Sequence, residues 1–155
     1  MGMTIKAELR YGYTIYDADG GWEITEAGEF GEYTPDWWDE DGDGTGEQIM
    51  TQLLRDSGFT EGYGDAEGYW SRRFDAEEAL PVELERSGYE GGQLMIVVKG
   101  REYSAYAGDA TTIDPAEMAA QNDGVANAHL ADALRTLGIT PKQSKPAWLL
   151  TCYYG

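Results

Sequence analysis

The sequence predicts a single α+β domain: a mainly antiparallel sheet of about six to seven strands with two to three helices packed on one face. Three observations lead there. Short runs rich in β-branched and aromatic residues recur between glycine-rich turns, as expected of strands. Two stretches carry helix start signals followed by apolar residues at helical spacing. The 155 residues suffice for one hydrophobic core, and no internal repeat or low-complexity linker divides residues 1–155.

Residues 4–16 alternate in part and are predicted to form one long strand or two short ones. Asp17-Ala18-Asp19-Gly20-Gly21 is a turn cluster, and Trp22 to Thr25 resumes the alternation, which together suggest a hairpin. Glu23, Glu26, Glu29 and Glu32 recur every third residue with Gly28 and Gly31 between them. The glycines oppose a helix, and an extended chain would set successive carboxylates about 10 Å apart. Thr45-Gly46-Glu47-Gln48 has the form of a capping box, and Ile49, Leu53 and Leu54 continue a helix that Gly58 ends.

Residues 59–68 read as a loop, and Tyr69 to Phe74 as a strand whose Arg72 and Arg73 neutralise part of the acidic surface. Pro81 to Arg86 alternates cleanly. Leu94 to Val98 is a continuous apolar run, and Lys99-Gly100 is read as a tight connection into a further strand over Glu102 to Tyr106. Asp114-Pro115-Ala116-Glu117 combines a capping aspartate, proline at the first helical position and a glutamate in the first turn. Asp123-Gly124 is expected to interrupt that helix before Val125, Leu130, Ala133, Leu134 and Leu137 form an apolar stripe ending at Gly138. Ala147 to Tyr154 is a last strand, expected to be buried around Leu149 and Leu150.

Charge is the main compositional feature. The chain carries 29 acids against 11 Lys and Arg, a formal net charge of −18. Residues 11–71 hold sixteen acids against the single Arg55, whereas residues 72–155 hold twelve acids against eight bases. Direct binding to nucleic acid is therefore disfavoured, while encounter with a basic protein surface is accelerated. No apolar run approaches the about 18 residues of a membrane span, and the start of the chain has no signal-peptide core, so a cytoplasmic protein is expected. Cys152 is the sole cysteine, which excludes an internal disulfide and a thiolate metal cluster. It reads as a buried small hydrophobe, and the lone His129 as a structural histidine beside the apolar stripe.

The densest stretch is Asp36 to Glu47, where Trp37 and Trp38 sit beside six carboxylates and three glycines. An extended backbone would send the two tryptophans to opposite sides, one to the core and one to the surface as an aromatic anchor; the equal alternative is that both pack under the acidic loop. Asp39-Glu40-Asp41-Gly42-Asp43-Gly44 has the spacing that lets three carboxylates converge on Ca2+, and it resembles the start of an EF-hand loop. In that alternative Asp39, Asp41, Asp43 and Glu47 are the ligands, but the twelfth position, where a bidentate carboxylate belongs, is Met50.

Signatures of common catalytic sites are missing. No serine lies in Gly-x-Ser-x-Gly, there is no Gly-Lys-Ser/Thr, and Gly62 to Gly68 misses the dinucleotide fingerprint by one residue. A small carboxylate-dependent enzyme stays open as an alternative, since any acidic protein can bring two carboxyls together. The leading expectation is a non-catalytic binding protein without cofactor. Glu23, Glu26, Glu29, Glu32, Asp36, Trp37, Trp38, Asp39, Glu40, Asp41, Asp43 and Glu47, with Glu61, Asp65 and Glu67, would dock on a basic partner. In charge and size alone the chain resembles the DNA-mimicking inhibitors of phages and mobile elements, such as antirestriction and anti-CRISPR proteins. That resemblance implies a nucleic-acid-binding protein as partner.

Overall fold

The structure, a computed structural model, describes residues 4–64, 66–88, 91–121 and 124–154. In chain order these form β1 (Ile5–Asp17), β2 (Gly21–Trp22), α1 (Thr45–Asp56), α2 (Tyr69–Ala79), β3 (Val82–Arg86), β4 (Gln93–Tyr106), α3 (Pro115–Ala120), α4 (Gly124–Leu137) and β5 (Ala147–Tyr154). The fold is α+β, but with five strands and four helices among the described residues rather than the larger sheet expected from sequence.

β1 is the axis of a curled antiparallel sheet. Its whole length pairs with β4 on one edge, while the other edge carries β5 beside Ile5 to Gly12 and β2 beside Tyr16 and Asp17. β3 closes the far side by pairing with Leu94 to Val98 of β4. The curl has a local cause. Arg10 pairs with Glu102 but Gly12 pairs with Val97, so Tyr11 alone faces residues 98–101. Gly12 has no room for a Cβ against the backbone of Ile96 and Val97, and Gly100 takes a positive φ of 76°, a conformation that glycine adopts freely. Lys99-Gly100 is therefore a bulge within one long strand and not the hairpin turn that its sequence suggests.

The second correction concerns Tyr69 to Phe74, which opens α2 instead of forming a strand. The two buried residues of α2, Tyr69 and Arg73, are four apart, the spacing of one helical face. The following Asp75-Ala76-Glu77-Glu78-Ala79 includes good helix formers, and a six-residue window dominated by aromatic and basic residues conceals that continuation. α1 begins where expected, although its N-cap is Gly44 with no side-chain cap bond, so the capping box does not form. Asp114 caps α3 as predicted, accepting from the Ala116 N–H at 2.9 Å. The expected helix break at Asp123-Gly124 lies partly outside the described residues; α4 begins at Gly124.

The core lies between one face of the sheet and helices α1 and α4. Leu94, Ile96 and Val98 of β4 alternate inward with Val82 of β3. They meet Ile49, Leu53 and Leu54 of α1 and Ala126, Leu130, Ala133 and Leu137 of α4. Each fully buried aliphatic side chain contributes about 1.5–3 kcal/mol by leaving water. β5 departs from expectation. Leu149 is half-buried, and Leu150 and Cys152 are exposed, because β5 is an edge strand and the helices do not reach its outer row. No helix among the described residues is long and apolar enough to cross a membrane.

Candidate interaction surface

Between β2 and α1 the chain makes a long excursion, residues 23–44, with no helix or strand of its own. Aromatic anchors hold it to the core. Trp22 is buried, and Tyr33, Trp37 and Trp38 each lie edge-on to its ring at centroid distances of 5.9, 6.2 and 6.2 Å. The Trp37 indole Nε1–H donates to the Leu137 carbonyl at 2.9 Å, satisfying a carbonyl at the C-terminal end of α4 that has no partner within the helix. Trp37 and Trp38 are both half-buried against the core, so neither is the free anchor that an extended backbone implies. The reason is a turn: the Trp38 N–H bonds to the Pro35 carbonyl, which brings both indoles to one side.

A second clamp comes from α1. The Gln48 side chain accepts from the Asp39 N–H at 2.8 Å and donates to the Asp39 and Asp43 carbonyls at 2.8 and 2.6 Å. One amide thus fixes the acidic loop at both ends, and the carboxylates of the loop are left outward. Asp36, Asp39, Glu40, Asp41 and Asp43 are all exposed. The Asp39 carboxylate accepts from the Asp41 N–H at 3.1 Å, an ordinary Asx turn. Among the described residues no group of three or more His, Cys, Asp or Glu is placed to hold a metal ion. Glu47, the fourth ligand of the calcium alternative, forms an ion pair with Arg73 across the gap between α1 and α2.

The glutamates before this loop are not in an extended row. Gly28 and Gly31 fold the chain through turns, with the Gly28 N–H donating to the Glu32 carbonyl and the Phe30 N–H to its carboxylate. Glu29 and Glu32 stay exposed. Glu23 has the Lys142 ammonium 4.0 Å away. Glu26 accepts from the Thr140 N–H at 2.9 Å, and although burial pushes its carboxyl up, the hydrogen bonds it accepts from Thr140, its own backbone and Thr25 together hold it below the ordinary range. Its contribution to stability is therefore present above the unfolded carboxylate pKa and lost as pH falls through the folded value. Glu26→Gln is expected to flatten this part of the acid limb of a stability-versus-pH curve, measured by thermal melts. An unchanged acid limb would remove the assignment.

Of the twelve carboxylates from Asp17 to Glu47, only Glu23 and Glu47 lie within 4.0 Å of a cation among the described residues. Arg72 and Arg73 neutralise part of the acidic surface, as expected: Arg73 pairs with Glu47, and Arg72 binds Glu61, donating from Nε and Nη2 at 2.7–3.0 Å. That pairing holds the Glu61 carboxyl below its ordinary pKa. Glu67 is exposed, and Asp65 lies outside the described residues.

Two features of the surface escape sequence reading. The first is a cleft of about 500 Å³ beside α1 and α2, with Asp43, Glu47 and Glu61 near Phe59, Tyr63, Tyr69 and Trp70. Tyr63 and Trp70 are 76% and 62% exposed, with their rings inclined at 59° and 5.6 Å apart, while the buried Arg73 guanidinium lies 5.9 Å from the Trp70 ring. Exposed aromatics beside carboxylates have the character of an interface hot spot. Only a helical reading of Tyr69 to Phe74 brings Trp70 and Arg73 to one side. Trp70→Phe is expected to remove most of the tryptophan emission accessible to acrylamide, because the other four indoles are buried or half-buried. Iodide should quench less well than acrylamide, being repelled by the anionic surface. An unchanged accessible fraction would contradict this placement.

The second feature is a charged cluster on the sheet face away from the helices. Arg10, only 3% exposed, donates to Glu85 at 3.1 Å and Glu102 at 2.9 Å, and also binds Glu83. Lys6 and Glu8 form an ion pair on the same face at 2.5 Å. Burial pushes the Glu85 carboxyl up; Arg10 opposes the shift, and Glu8 and Glu102 add to it. This raised carboxyl stands outside the aromatic cleft. The alternation Glu83-x-Glu85 and Lys6-x-Glu8-x-Arg10 carried the signal, since residues two apart share a sheet face.

No protein-family model matches the sequence, and no curated protein or solved structure is significantly similar to it.

Proposed function

We propose that this chain is a non-catalytic acidic binding protein that docks the acidic stretch of residues 17–47, with Glu61 and Glu67, on a basic surface of another protein. The observation that carries the reading is ten carboxylates in that stretch without a cation within 4.0 Å among the described residues, on a backbone held by Trp37 and Gln48. Fixed like charges repel and cost stability, so their concentration on an anchored segment favours a use in recognition. The anchoring also lowers the ordering cost of association. Where the partner is a nucleic-acid-binding protein, these carboxylates stand in for phosphates and the protein acts as a DNA mimic.

The separation of groups supports a non-catalytic reading. Glu85, the carboxyl pushed up by burial, serves the Arg10 cluster, while Glu61 at the cleft is held down by Arg72. A paired acid and base would need the two environments at one site. The test is affinity capture from a lysate of the source organism at low and moderate ionic strength, read by mass spectrometry. Basic proteins, nucleic-acid-binding ones foremost, are expected at low salt and lost at moderate salt. Capture that does not change with salt would overturn the proposal.

A further inference from the structure

We propose that the cleft beside α1 and α2 seats an arginine side chain of the basic partner, an inference that rests on the docking proposed above. The cleft adjoins the docked stretch, since Asp43 and Glu47 near the end of that stretch line one wall. The opposite wall is aromatic. Tyr63 and Trp70 hold their rings 5.6 Å apart and inclined at 59°, and both residues are mostly exposed, so ring surface in two orientations is open to a ligand. The buried Tyr69 packs against both, with its ring 6.0 Å from Tyr63 and 5.1 Å from Trp70, and so ties the pair to α2. A cation over such a ring is attracted by the negative face of the π-system.

The occupant follows from charge. The acids lining the cleft are Asp43, Glu47 and Glu61, and the bases are Arg55 and Arg73. Arg73 is buried and already divided between Glu47 and Glu77, while Glu61 is paired with Arg72. Asp43 has no cation within 4.0 Å among the described residues. Arg55 stands in the last turn of α1, where a positive charge complements the helix dipole. An anion would have to enter against the field of a molecule of net charge −18, so the open rings and Asp43 select a cation. Of the cationic side chains arginine fits best, because its guanidinium is planar, stacks on aromatic rings and is more weakly hydrated than an ammonium. The fold already uses this match once: the Arg73 guanidinium carbon lies 5.9 Å from the centre of the Trp70 ring.

An NMR titration of the full chain with Nα-acetyl-arginine amide tests the proposal, with the lysine analogue and the uncharged citrulline analogue as controls. Saturable shifts are expected at the amides of residues 60–63 and 69–73, weaker with the lysine probe and absent with the citrulline probe. Trp70→Ala and Tyr63→Ala, at exposed positions and with the fold checked by circular dichroism, should each weaken binding of the arginine probe by about fivefold, the effect of losing one cation–π contact. Arg55→Gln should tighten it by about twofold, as removal of a like charge some 8 Å away in water would. A phosphate or carboxylate site would respond to that substitution in the opposite sense. Neither aromatic variant removes a carboxylate, so the salt dependence of partner capture is read separately: an empty cleft with salt-dependent capture would sink the cleft alone, and a filled cleft with salt-insensitive capture would sink the docking surface alone. Shifts confined to residues 17–43, binding as tight by the lysine or citrulline probe, affinity unchanged in both aromatic variants, or weaker binding by Arg55→Gln would overturn the inference.

Discussion

Arg10→Met is expected to lower stability by about 2–3 kcal/mol at neutral pH. Methionine fills much of the space of the arginine stem, so the loss is chiefly one of charge. Breaking a buried ion pair from one side costs about 3–5 kcal/mol. Here the carboxylates of Glu83, Glu85 and Glu102 are about a third to a half exposed, and water takes up part of that penalty. For a chain of this length the melting temperature should fall by about 4–12 °C.

The pH dependence separates this explanation from a simple packing defect. The Glu85 carboxyl is pushed up in the fold, so its ionisation penalises the native state. The penalty is absent below the unfolded carboxylate pKa and grows as pH rises through the folded value. Loss of Arg10 removes the opposing cation and enlarges it. The deficit of Arg10→Met should therefore shrink as pH falls below the carboxylate range, and Glu85→Gln in the same chain should recover part of it. A deficit of constant size across pH would assign the loss to packing.

Triple substitution of Asp39, Asp41 and Asp43 by lysine is expected to slow association with a basic partner by at least about tenfold at low salt. The three carboxylates are exposed, and none has a cation within 4.0 Å among the described residues, so no folded-state ion pair is broken. The substitutions remove the Asx turn from Asp39 to the Asp41 N–H but leave untouched the backbone groups by which Gln48 holds the loop. Thermal stability should hold or rise as self-repulsion is relieved. The same change in net charge placed at Asp75, Asp109 and Glu117, exposed residues outside the excursion, should slow association far less. Equal slowing by both sets would mean that net charge matters and the excursion does not.

Much of the fold was legible where local pattern and tertiary context agree. β1, β3 and the central part of β4 alternate or run apolar as strands should; α1 and α4 show their stripes; and Asp114-Pro115 announces α3. Misreadings arose where context overrode pattern. The bulge opposite Tyr11 needs a neighbouring strand to be recognised, and Lys99-Gly100 alone looks like a turn. Tyr69 to Phe74 has strand-like composition, and its helical face appears only through the burial of Tyr69 and Arg73.

An apolar strand such as Ala147 to Tyr154 reads as interior, because sequence does not say which strand is an edge. For the surface, the concentration of acids was legible and its bookkeeping was not. Glu47 is taken by Arg73 from another helix, Glu26 by Thr140 from a distant loop, and Arg10 gathers glutamates from β3 and β4. Trp37 and Trp38 lie on one side because a turn at Pro35 replaces the extended backbone.

The most direct test is the slope of log affinity against log salt for a captured basic partner, compared between the parent chain and the Asp39, Asp41 and Asp43 lysine variant. A steep fall for the parent and a much shallower one for the variant is the predicted result. Equal slopes, or affinity insensitive to salt, would show that the partner does not read the carboxylates of this excursion.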